Sequence, residues 1–100
     1  MNNITKVSEI TYEDIVNYIR INEISNEDIN TLNTLICVAK AYIQGYTGQP
    51  YDNLDNFQDF VIVVFVLCQD MWDNRTLYVD NSNLNKVVQG ILDLHSINLL

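Results

Sequence analysis

The chain is 100 residues long, the size of one domain, and its 48% apolar against 18% charged residues can bury a core, which excludes intrinsic disorder as its main state. Thirteen Asp and Glu against five Lys and Arg leave a net charge of -8, the wrong sign for gripping nucleic acid through its phosphates. The longest apolar run, Phe60 to Cys68, falls well short of the roughly 20 residues that cross a bilayer, and no basic-then-apolar leader follows Met1, so a cytoplasmic protein with no membrane partner is expected.

Patterning and punctuation predict four helices. Thr11 followed by Asp14 has the form of a capping box, a hydroxyl at the cap and a carboxylate three residues on, near the positive end of the helix dipole. Tyr12, Ile15, Val16 and Ile19 then share one face, which places the first helix near 11 to 20. Ser25 with Asp28 repeats the cap and opens the longest patterned helix, near 26 to 46, whose apolar stripe includes Leu32, Leu35, Ile36, Ala39 and Ile43. Gly45 and Gly48 supply the left-handed conformation that ends helices, and Thr47 to Asp55, with the single proline, reads as a loop.

The third segment is apolar on every side from Phe60 to Cys68, and its β-branched content favours a strand on propensity alone. Length decides for a helix, because the segment continues through Gln69 to Asp73 without a turn signal, about 18 residues in all, too long for a typical strand. With Asp55 or Asn56 as its cap it is expected near 56 to 74, at the centre of a bundle or in a subunit interface. Asn74 to Asn81 is a connection in which Leu77, Tyr78 and Val79 can form a short extended arm. Asn81 to Asn83 offer caps for a fourth helix near 83 to 94, with Leu84, Val87, Val88, Ile91 and Leu92 on its apolar face and Gly90 weakening its interior. The fold class expected is all-α: a small four-helix bundle, one domain over 1–100 with short connecting loops, and with 1–10 and 95–100 as termini that are flexible or ordered by a partner.

No reacting constellation emerges from the residues. Cys37 and Cys68 lie inside apolar patterns, without a second cysteine or a histidine at metal-ligand spacing, and read as reduced core residues. His95 is the single histidine and has no placed partner for base catalysis. Asp70 and Asp73 share a helical face but lack the further oxygen ligands that a cation needs. Asn74 to Thr76 matches a glycosylation sequon in a chain without a secretion signal, and Gly45 to Gly48 lacks the lysine and preceding strand of a phosphate loop. No enzyme activity, cofactor or metal is expected.

The order Ile10 to Ile21, Asp28 with Leu32, Leu35, Ile36 and Ala39, Tyr42 and Ile43 before Tyr46, Thr47 and Gly48, then an apolar helix ending in Trp72 to Arg75 and a closing helix from Leu84 to Leu92, resembles the head-tail connector (adaptor) family of tailed bacteriophages. The resemblance covers most of the chain. It implies a structural protein that forms a homo-oligomeric ring between the portal protein and the tail-side, head-completion proteins, at the head-tail junction of the virion, with DNA passing through the lumen. An acidic chain suits a channel in which DNA must slide.

A closed ring needs a heterologous interface, in which one face of a subunit meets a different face of the next. The apolar surface of the third helix and the residues after it, Trp72, Arg75, Leu77, Tyr78 and Val79, are the candidate subunit interface. His95, Ile97, Leu99 and Leu100 are the candidate portal-docking tail, with folding back over the fourth helix as the alternative. A small acidic regulator that mimics DNA or binds a host protein is the alternative from another class; its carboxylates should lie in rows at phosphate-like spacing, whereas here they are scattered and diluted by Asn.

Overall fold

Helices begin where a side chain can take the free N–H groups of the first turn, and three of the four here do so through short polar residues. A computed structural model describes residues 4 to 97. Helix α1 spans Tyr12–Ile19, and the Asp14 carboxylate accepts from the Thr11 N–H at 2.8 Å. Helix α2 spans Asn26–Thr47; its capping box is reciprocal, with Ser25 Oγ accepting from the Asp28 N–H and Asp28 from the Ser25 N–H, both at 3.1 Å. Helix α3 spans Phe60–Asn74 and helix α4 spans Lys86–Leu94. Short 3-10 turns at Val7–Glu9, Tyr51–Asn56 and Asn81–Asn83 join them, and among the described residues there is no strand.

The expected all-α bundle is therefore the observed one, and two helix starts move. Helix α3 begins at Phe60 rather than near 56 because both candidate caps are engaged elsewhere. The Asp55 carboxylate accepts from the Ser8 N–H at 2.9 Å and the Ser8 hydroxyl at 2.6 Å, and the Asn56 amide donates to Asn53. With Leu54 buried, this segment winds as a 3-10 turn of its own. Helix α4 begins at Lys86 because Asn85, not Asn83, caps it: Asn85 Oδ1 accepts from the Val87 N–H at 2.8 Å and the Val88 N–H at 3.3 Å, while Leu84 stays extended. Residues 77 to 79 form no strand; they make a bend after α3.

Three helices end in the left-handed conformation. Gly48, at φ 73°, closes α2 as its sequence predicts, whereas Gly45, expected to share that role, stays within the helix; Arg20 (φ 67°) and Arg75 (φ 56°) close α1 and α3. At Arg75 the turn is a Schellman closure, with the Thr76 N–H reaching the Met71 carbonyl at 3.0 Å and the Arg75 N–H reaching that of Trp72 at 3.3 Å.

Helix α3 packs against all three other helices, and α2 and α3 form the most extensive pair. Phe60, Val63, Val64, Leu67 and Cys68 are essentially sealed from solvent, and the helix leaves only Ile62 of its apolar run widely exposed. Its all-round apolar character is thus largely buried inside its own bundle, the first of the two placements expected for it. Cys37 is also corrected: it lies on the exposed face of α2, whereas Cys68 is buried, and burial pushes the Cys68 thiol up to about 12. Residues 4 to 10, expected to be flexible or ordered by a partner, pack on the bundle, with Val7 and Ile10 in the core and Ser8 tied to Asp55.

Candidate functional site

The end of α4 is fastened to the start of α3 and the end of α2. His95 Nε2 lies 2.8 Å from Asp59 Oδ2, and the imidazole packs against the rings of Phe57 and Phe60 at centroid distances of 4.3 and 5.2 Å. The His95 carbonyl accepts from Gln49 Nε2 at 2.7 Å, and the Ile97 N–H donates to the Thr47 carbonyl at 2.7 Å. Gln49 and Thr47 are the two buried polar residues among those described; Gln49 spends its amide on this tie and on Asn53, and Thr47 is satisfied by the Ile43 carbonyl. His95 and Ile97 therefore fold back over the domain, the alternative to docking on a partner. Leu99 and Leu100, the other two residues of the candidate portal-docking tail, lie outside the described residues.

Because His95 meets Asp59 while Asn83 and Leu84 lie beside Leu67, Met71 and Asn74, α4 runs antiparallel to α3. Two tyrosines brace this segment from α2. The Tyr42 hydroxyl donates to Asn81, and the Tyr46 hydroxyl donates to the Asp93 carboxylate, a bond that raises the Tyr46 pKa.

The five candidate interface residues separate into two kinds. Trp72 and Val79 are half-buried against the core, and the Arg75 guanidinium lies over the Trp72 ring at 5.2 Å. Leu77 and Tyr78 project from the bend after α3, 59% and 65% exposed. Tyr78 itself lines a cleft of about 440 Å³ together with Leu67, Met71, Val79 and Leu84 and with the polar residues Asp70, Asn74 and Asp80. Burial, then the charge of Asp73, raises the Asp70 pKa. Asp80 is held below its ordinary value by Asn83 and the Ser82 N–H. Among the described residues no group of three or more potential ligands could hold a metal ion.

A second concavity of about 500 Å³ lies at the opposite end of α3, lined by Ile4, Phe57, Val61, Ile62 and the His95–Asp59 pair. It is more open and more apolar than the first, and Ile62 on its rim is 52% exposed. Sequence reading missed it because Ile62 looks identical to its buried neighbours; only the direction in which each α3 side chain points, set by where α1, α2 and α4 lie, distinguishes it. Val87, expected on the apolar face of the fourth helix, is corrected on the same ground, and Leu94 escaped for the same reason. They stand at i and i+7 on the outer face of α4, 67% and 73% exposed, while Val88 and Leu92 face the core.

No helix among the described residues is long and apolar enough to cross a membrane. Compared with protein-family models, curated proteins and solved structures, the chain finds no match.

Proposed function

We propose that this protein is a structural assembly subunit, a phage or prophage head-tail connector that builds a ring between a portal and tail-side completion proteins, with DNA passing through the lumen. One observation carries the reading: exposed apolar side chains stand at opposite ends of α3, Ile62 at its start and Leu77 and Tyr78 just past its end. At 1.5 Å per residue these groups lie about 20 Å apart along the helix. Two unlike apolar patches on one subunit favour heterologous association, in which each copy is both donor and acceptor, and such contacts close into rings when the rotation permits. The net charge of -8 supports a role beside DNA rather than on it, because an acidic lumen repels the phosphates that slide through it.

The test is assembly. Sedimentation and electron microscopy across a concentration series, with and without portal-bearing heads, should show a monomer at low concentration and rings when the protein is concentrated or placed on the portal. A closed dimer with no larger species would refute the reading, because two-fold pairing consumes one self-complementary patch and leaves nothing to propagate.

A further inference from the structure

We draw no further inference here: the strongest candidate, the cleft of about 440 Å³ between the second half of α3 and the connection from Thr76 to Leu84, joins an apolar floor to the Asp70 and Asp80 carboxylates, and nothing in the structure shows what ligand or partner covers it.

Discussion

Replacing His95 by Ala distinguishes a tail that belongs to its own fold from a tail held ready for a partner. The imidazole is largely enclosed between Phe57 and Phe60, with 18% of its side chain exposed, and it bonds Asp59, whose side chain is 34% exposed. A hydrogen bond to a charged group contributes about 1.5 kcal/mol at the low end of its range, and the partial exposure of Asp59 reduces that to about 1 kcal/mol. Losing the ring packing adds about 1 kcal/mol. The total of about 2 kcal/mol lowers the melting temperature of a domain of this size by about 8 to 16 °C. His95→Phe keeps the stack and loses the bond, so it should fall roughly midway between wild type and His95→Ala. The assay is thermal unfolding by circular dichroism, run beside attachment to portal-bearing heads. If His95→Ala melts within about 2 °C of wild type and yet fails to attach, the fold-back contact carries no stability and the reasoning is wrong.

Gly90→Ala should raise stability by about 1 kcal/mol, since a Cβ there meets nothing within 4 Å and α4 gains a better helix former; Gly48→Ala should lower it by a similar amount, about 1 kcal/mol, because φ is 73° there, and urea titration reads both signs. Val64→Asp places an unpaired charge in a sealed site against all of the core, costs several kcal/mol and should leave no cooperative unfolding transition by circular dichroism. The Ser8 bonds hold the Asp55 pKa below its ordinary 3.8, so they stabilise the fold above that value and their contribution disappears as pH falls through the lowered one. Ser8→Ala should therefore melt below wild type at neutral pH, by an amount worth about 0.5 kcal/mol for so exposed a bond, and match it in acid. A thiol reagent at neutral pH should label Cys37 quickly and Cys68 only on unfolding, read by mass spectrometry.

The helices were legible because their signals are local. Ser25 with Asp28 and Thr11 with Asp14 act within one turn, and the stripe from Leu32 to Ile43 reports a buried face by spacing alone. What escaped depends on contacts between distant segments. Asp55 looked like a helix cap and is a partner of Ser8, 47 residues away; Asn83 lost the capping of α4 to Asn85 because Asp80 closes its own 3-10 turn first. Cys37 lies within an apolar stretch, yet its position on α2 turns it outward, between the core residues Ile36 and Ala39. At the candidate site, Leu77 and Tyr78 could be singled out as apolar residues in a connection. The concavity at the start of α3 draws on Ile4, the segment from Asn56 to Asp59, α3 and His95 just past α4, and no sequence window contains that combination.

The central position of α3 also bears on what happens when the fold fails. Phe60 to Cys68 is an uncharged, proline-free run rich in β-branched and aromatic residues, the composition that stacks into cross-β fibrils once it is freed from tertiary structure. In the folded chain the surrounding helices keep it helical and hidden, and Asp59 and Asp70 flank it as charges that resist edge-to-edge addition. The chain thus carries inside it a segment able to add copies of itself without order, in competition with the ordered assembly proposed for it. The stability of the native bundle determines how often that segment is exposed, so destabilising variants of this chain should be recognised first by precipitation.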